Sequence, residues 1–364
     1  MRTSADTPKQ LSENGQASTT TRMAGGLSLS AAGVKKQVRK ATPSLRVKPG
    51  ANHPVRETQL SGIIVVDKPP NISSAKVVAD VKRLLHARKV GHAGTLDPFA
   101  EGVLLCCINN ATRLARFLLS GNKTYNATLK LGIETDTQDM TGNVIAVHPV
   151  VVGSEDSIKS VIQKFEGPIE QQPPVFSALK HRGTPLYKLA RKGKPVQKPA
   201  RRVHISKIRI LETNLPLIRF EVSCSAGTYI RTLCADIGRQ LGCGGHLMAL
   251  KRTASSGFKI EHAITLQQLA ERVAAGESSH LMVGMADALA DMPVCIANQT
   301  LIEKIRQGQH LNKSDVKIDW PTEKSTKQDE KRNIKIVDSN NLLLAVLNYE
   351  KNTDRISYAC VFTN

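Results

Sequence analysis

Three places in the chain carry side chains whose type and spacing suit chemistry. The first is Asp97, within Gly91-His92-Ala93-Gly94-Thr95-Leu96-Asp97-Pro98. Pro98 fixes its own φ and biases Asp97 away from helical geometry. Gly91 and Gly94 let a ligand come close to the backbone. A carboxylate on such a loop can act as nucleophile or general base, although a lone loop aspartate more often caps a turn. The second is Arg231, in Gly227-Thr228-Tyr229-Ile230-Arg231-Thr232 at a strand-to-helix junction. A cation at a helix start opposes the helix dipole. Its placement therefore calls for a specific partner, such as a buried carboxylate that it would hold ionised. The third is the stretch from Lys180 to Arg209, with eleven Lys/Arg and no acid. A merely solvated face mixes both signs, so this stretch favours a phosphate-facing surface.

The elements that must position these groups follow from the apolar pattern. Gly62–Val66 reads as a strand, followed by the turn Asp67-Lys68-Pro69-Pro70-Asn71. Ser73 or Ser74 can cap a helix carrying Val77, Val78, Val81, Leu84 and Leu85 on one face. Strands are expected at Gly102–Ile108, Tyr125–Leu131 and Asn143–Val147, and a helix at Ala111–Leu119. Residues 154–165, 228–241 and 266–275 read as helices. The stretches 203–212 and 217–224 read as paired strands, and Leu247–Arg252 as a short one. From about Asp291 the pattern turns to short β-like runs: Val294–Ile296, Ile334–Val337, Leu342–Leu347 and Ser357–Phe362. The charged stretch 322–333 between them reads as an exposed loop.

The 364 residues suit about two domains. Lys plus Arg exceeds Asp plus Glu by 20, which suits a polyanionic partner, nucleic acid before membrane. Residues 1–58 carry ten Lys/Arg against three acids with no apolar periodicity, the signature of a disordered basic arm. Seven cysteines form no C-x-x-C pair, which suggests neither a zinc ribbon nor a disulfide scaffold and fits a cytosolic setting. No long apolar run or secretory leader is evident. No P-loop or dinucleotide fingerprint is present, and His92 and His246 are too isolated to argue for zinc. Local rules thus reach a basic α/β protein that binds RNA, with carboxylate chemistry in prospect.

The combination resembles the TruB-type tRNA pseudouridine synthases, which isomerise uridine 55 in the T loop of tRNA. The resemblance runs in order from about Gly62 to Phe362: Val66-Asp67-Lys68-Pro69, GHAGTLDPFAEGVL at 91–104, Lys123-Thr124-Tyr125, LGIETDTQD at 131–139, PPVFSALK at 173–180, GTYIRT at 227–232 and GCGGHLMALKR at 242–252. It implies an α+β fold: a mixed, largely antiparallel sheet with flanking helices over 59–290, then a small PUA-like β domain over 291–364. A basic RNA-gripping insertion would span about 173–209. It implies Asp97 as the nucleophile, on the base or on the sugar, and Tyr125 as the ring packed on the target. Arg231 would be the arginine paired to Asp97, depressing the carboxyl pKa by its charge. Lys68 and Pro69 would support the active-site loop, Leu250 would close the base pocket, and His92 would enter the RNA stack where the base leaves. Tyr229 lies in the matched GTYIRT motif, and Lys180, Arg182 and Arg202 in the basic stretch that would hold the T-stem backbone. The reaction is redox-neutral and implies neither metal nor organic cofactor. The partner would be the tRNA T stem-loop, with no membrane and no obligatory protein partner, and the protein a cytoplasmic monomer. Glu101 stands where a small polar residue is also common in the family. An RNA-guided synthase and an RNA-folding protein without catalysis are the alternatives.

Overall fold

The computed structural model describes residues 60–318, 320 and 331–362. The expected arm at 1–58 and most of the charged stretch 322–333 lie outside them. The strands, in chain order, begin with β1 (Gly62–Lys68), β2 (Val90–His92), β3 (Glu101–Ile108), β4 (Lys123–Leu131), β5 (Ile133–Thr135) and β6 (Val144–Val147). They continue with β7 (Gly167–Gln171), β8 (Lys180–His181), β9 (Thr184–Pro185), β10 (Arg201–Asn214), β11 (Leu217–Cys224), β12 (Gly245–Ser255) and β13 (Phe258–Lys259). The last four are β14 (Val294–Ile296), β15 (Lys331–Val337), β16 (Leu343–Glu350) and β17 (Arg355–Val361). The helices are α1 (Ser74–Leu84), α2 (Ala115–Leu119), α3 (Glu155–Gln163), α4 (Leu186–Ala190), α5 (Ile230–Gln240), α6 (Leu266–Ala274) and α7 (Gln299–Arg306).

A nine-stranded sheet runs β1-β3-β12-β4-β11-β10-β7, with β2 joined to β3 and β13 to β12. All its pairings are antiparallel except β12 with β3. This is the mixed, largely antiparallel sheet that the sequence implied. β1 and β3 are continuous apolar runs because both their faces are covered. Ile63, Val65, Val103 and Leu105 pack with Val346 and Cys360 of the C-terminal sheet. Ile64, Val66, Leu104 and Cys106 pack with Val77 and Val81 of α1 and Leu269 of α6. At the other end of the sheet, β4, β10 and β11 alternate in sequence and bury one face under Ile158 and Ile162 of α3 and Leu233 and Ile237 of α5. The C-terminal strands form a separate sheet, β14-β15-β16-β17.

Three elements differ from the sequence pattern. The helix expected over Ala111–Leu119 is a 3-10 turn over Asn109–Leu114 followed by the short α2. Asn109 starts it at φ 51°, its side chain bonded to the Lys89 amide and the Leu60 carbonyl. Strand β7, which the sequence pattern did not single out, carries Pro168. It is the edge strand of the sheet, where the missing N–H costs no ladder bond. Leu247–Arg252 is the middle of the longer β12, whose pairing with β4 shifts register after Leu247 and after Arg252. Such bulges re-aim the side chains beside them.

Helix α5 lies close against the start of β12. The Cys243 and Gly244 amides both donate to the Gly238 carbonyl. A Cβ at Gly238 would meet the Gly244 carbonyl carbon and the Gly245 nitrogen at 2.5 Å. Gly238→Ala is expected to destabilise the fold by about 1–3 kcal/mol, read as a lowered denaturant midpoint with unchanged slope.

Candidate active site

Asp97 lies on the loop between β2 and β3, and three side chains from elsewhere pin that loop. Ser73 caps α1 by accepting from the Lys76 amide, which leaves Ser74 for another task. The Ser74 hydroxyl donates to the Leu96 carbonyl and accepts from the Leu96 amide, both at 2.9 Å. Lys68, fully buried, donates to the carbonyls of Pro98 (3.1 Å), Ala100 (2.6 Å) and Pro69 (2.9 Å). Arg252, 1% exposed, donates to the carbonyls of Val103 (2.7 Å), Gly94 (3.0 Å) and Thr95 (3.5 Å). The carboxylate is therefore held by its loop from both sides, and its side chain is 37% exposed.

Arg231 sits in the first turn of α5 and turns inward. Its Nε lies 3.0 Å from Asp97 Oδ2, and its Nη1 lies 3.3 Å from Asp139 Oδ2. Nη1 also donates to the Thr137 carbonyl at 3.1 Å, and Nη2 to the Phe176 carbonyl at 2.8 Å. A cation placed against the helix dipole is thus compensated by two carboxylates and two carbonyls. Asp139 is braced in turn by the Thr137 hydroxyl and by the amide and hydroxyl of Thr141. Only Asp97, of the two acids, opens to the cleft.

The cleft holds about 530 Å³. Asp97, Tyr125, Tyr229, Arg231 and Leu250 line it together with Lys123, Arg201 and Arg252. Tyr125 on β4 stands opposite Arg252 on β12 in register. A larger hollow, about 800 Å³, opens beside Phe117, Phe258 and Asp287. Among the described residues it sets no carboxylate against a buried cation, so the paired chemistry lies in the smaller cleft.

Titration follows from burial. Burial raises the Asp97 carboxyl above its usual range, Arg231 pulls it back, and Asp139 raises it again. Arg231 lowers this carboxyl, as its charge implies, while desolvation, the larger effect, raises it. Burial likewise brings the Lys68 ammonium down to about 8, opposed by the charges of Asp97 and Glu101. Burial also raises the Tyr125 phenol, against Arg252, which lowers it. His92 is lowered by burial and then by Arg252, and its buried Nδ1 has no partner among the described residues.

Other anticipated residues fall outside the cleft lining. Pro69 is exposed, with its carbonyl on Lys68. His92 lies on β2, opposite Cys106. Lys180 and Arg182 are exposed on and beside the β8–β9 ribbon, next to Ala178 and Leu179, which do line the cleft. Arg202 points away, beside a shallow hollow with Pro168 and His204. Strand alternation gives the cleft to its neighbour, Arg201. The sequence reading also missed Asp139, Arg252, Ser74 and Gln171. Asp139 and Arg252 stood inside matched motifs, and an inward arginine needs more counter-charge than one half-open carboxylate supplies. That need was the signal for a second acid.

The native state keeps the Asp97 proton to higher pH than the unfolded chain does. Stability therefore falls as pH rises through the window between the ordinary value and the raised one. Asp97→Asn removes that charge and is expected to leave the melting temperature at pH 7 equal or higher. Asp139→Asn breaks a fully buried pair and is expected to cost about 3–5 kcal/mol. Thermal and denaturant unfolding of the two variants side by side checks both.

Residues 82–230 match the model for the TruB family pseudouridylate synthase (N terminal domain). Residues 231–290 match that for the tRNA pseudouridylate synthase B C-terminal domain. A tRNA pseudouridine synthase B of Syntrophobacter fumaroxidans is 43% identical over 272 residues, 74% of this chain and 87% of the relative. One from Francisella tularensis subsp. novicida is 48% identical over 211 residues, 58% of this chain and 70% of the relative. Among solved structures, a Cbf5-Nop10-Gar1 complex aligns with TM-score 0.63 and 28% identity, covering 83% of this chain and 84% of the other. An archaeal box H/ACA sRNP Nop10-Cbf5 complex aligns with TM-score 0.63 and 26% identity, covering 83% and 86%.

Proposed function

The chain belongs to the TruB family of pseudouridylate synthases, and from that premise we propose that it converts uridine 55 in the T loop of tRNA to pseudouridine, with Asp97 as the nucleophile. The observation that carries the reading is the half-open Asp97 carboxylate, 3.0 Å from the buried Arg231, in a cleft lined by Tyr125 and Leu250. The reaction breaks the N1–C1′ bond and joins C5 of the same uracil to C1′. The C5 proton is lost and N1 gains one, so the balance needs no oxidant or reductant. Asp97 bonds to the nucleoside transiently, either at C1′ as uracil leaves, to be displaced when C5 attacks C1′, or at C6 of the ring before the N1–C1′ bond breaks, to be eliminated after C5 has joined C1′. Arg231 favours the anionic carboxylate against its desolvation and holds its second oxygen, which leaves the first for the cleft. Tyr125 packs on the uracil and stands where the C5 proton must depart.

A uridine inside a folded loop has to leave its stack to reach Asp97, at a cost of roughly a few kcal/mol. The apolar lining from Leu250 and the rings of Tyr125 and Tyr229 offset part of that cost. His92, Lys180, Arg182 and Arg202 lie outside the cleft lining, where they would meet RNA beyond the target base. Lys68 and Pro69 act from behind the loop. On this reading residues 59–290 form the catalytic domain, 173–209 its RNA-gripping part, and 291–364 a PUA-like domain that adds grip on tRNA. The protein works in the cytoplasm as a monomer.

The alignments to the two Cbf5-containing complexes, one of them an archaeal box H/ACA sRNP, favour one alternative, a synthase that needs a guide RNA. The higher identity to bacterial relatives named tRNA pseudouridine synthase B favours the stand-alone form. Pseudouridine mapping of unmodified tRNA transcripts incubated with the purified protein alone separates them. Conversion at uridine 55 is expected, abolished in Asp97→Asn while tRNA binding persists. Conversion by Asp97→Asn would remove Asp97 from its role. Binding without conversion by the parent protein would favour the guided form.

A further inference from the structure

The geometry points to Arg201 as a preformed seat for a single phosphate, one of the two that adjoin the target nucleotide, at the rim of the Asp97 cleft. The inference rests on the reading of that cleft as an RNA uridine site. Four cations line the cleft: Lys123, Arg201, Arg231 and Arg252. Three are already committed. Arg231 divides its nitrogens between Asp97, Asp139 and two carbonyls. Arg252 is buried on the carbonyls of Gly94, Thr95 and Val103. Lys123 is buried with its ammonium on the carbonyls of Leu119 and Gly121.

Arg201 is different. Its Nη2 donates to the Gly227 carbonyl. Its guanidinium lies over the Tyr229 ring, 4.8 Å from the centroid, and Arg–ring stacking holds the plane in place. Yet no carboxylate lies within ion-pair distance of it among the described residues, and its buried Nε has no partner there. A positive charge fixed in position with no anion of its own is the arrangement that takes up a phosphate oxygen.

The surroundings are built to keep it there. Gln171, 1% exposed, clamps Tyr229 from both sides: its Oε1 accepts from the Tyr229 amide at 2.7 Å and its Nε2 donates to the Tyr229 carbonyl at 3.0 Å. Gln171 is also the register partner of Arg201 across β7 and β10. The platform ring and the arginine are thus tied to one pair of backbone positions. Gly227, at φ 90°, leaves room for the guanidinium; a Cβ there would stand 3.3 Å from Arg201 Cζ and Nη2. Arg202, one residue on, faces the other way and lacks all of this. Phosphate contacts position RNA without reading its sequence. A fixed one beside Asp97 would index the ribose against the carboxylate.

The test uses a T stem-loop RNA in the Asp97→Asn background, with binding measured over a range of salt. Arg201→Gln is expected to weaken binding about tenfold and to reduce the salt slope by about one. RNAs carrying one uncharged methylphosphonate, either 5′ or 3′ of the target uridine, report on the same contact without altering the protein. One of the two should bind the parent protein more weakly by a similar factor and lose nothing further with Arg201→Gln. Equal binding of all RNAs by the parent, or losses from the two changes that multiply, would overturn the inference. Conversion at uridine 55 by the otherwise unaltered protein is scored separately: its absence would count against the proposed function, whereas normal conversion with unaffected Arg201→Gln binding would count against Arg201 alone.

Discussion

A buried guanidinium must find anions or carbonyls for its N–H groups, and the Arg231 site is organised around that demand. Two carboxylates answer it from opposite sides, Asp139 from within the protein and Asp97 from the cleft. Because Asp139 and the carbonyls of Thr137 and Phe176 take the remaining nitrogens, Arg231 cannot swing away when Asp97 engages another atom. The pair is unequal. Asp139 is enclosed and fully bonded, whereas Asp97 keeps an oxygen facing open space and is raised in pKa by its own desolvation. A carboxylate held anionic in a place that disfavours its charge is a stronger nucleophile than one at ease in water. The protein gives up some stability for this, as reactive sites commonly do.

The loop bearing Asp97 adds little order of its own. It takes its shape from Ser74 at the start of α1, Lys68 at the end of β1 and Arg252 on β12. Lys68 and Ser74 lie near the loop in sequence, whereas Arg252 is 158 residues from Gly94, so the full set of anchors requires β12 in place beside β3. Positioning by side chains that reach the loop's carbonyls suits a reaction in which the nucleophile must meet one atom of a mobile substrate. Lys68 and Arg252 are cations among carbonyls. Their charges lie near Asp97 and Tyr125 and help set the field there.

Much of this was legible in the sequence. The alternation of β4 and β11 and the apolar runs of β1 and β3 gave their strands directly, because each face is uniformly buried or uniformly open. The type and motif of Asp97, Tyr125, Arg231 and Leu250 marked them, and the structure brings those four into one cleft. What stayed hidden depended on distance or parity. Asp139 is 92 residues from Arg231, and no local pattern announces such a pair. Arg201 and Arg202 are the same residue type one position apart, and only the register of β10 against β7 decides which faces the cleft. The sequence pattern did not single out β7, whose edge position is a property of the whole sheet. The net titration of Asp97 was hidden for a similar reason: the arginine was visible in sequence, but the depth of burial that outweighs it was not.

The central claim is that Arg231 opposes, without overcoming, the desolvation of Asp97. Carbon-13 NMR of the aspartate carboxyls across a pH series, with Asp97→Asn identifying the resonance, measures it directly. The account predicts a midpoint above the ordinary 3.8 in the unaltered protein and a higher one in Arg231→Gln. A midpoint at or below the ordinary value, or one that Arg231→Gln leaves in place, would contradict it.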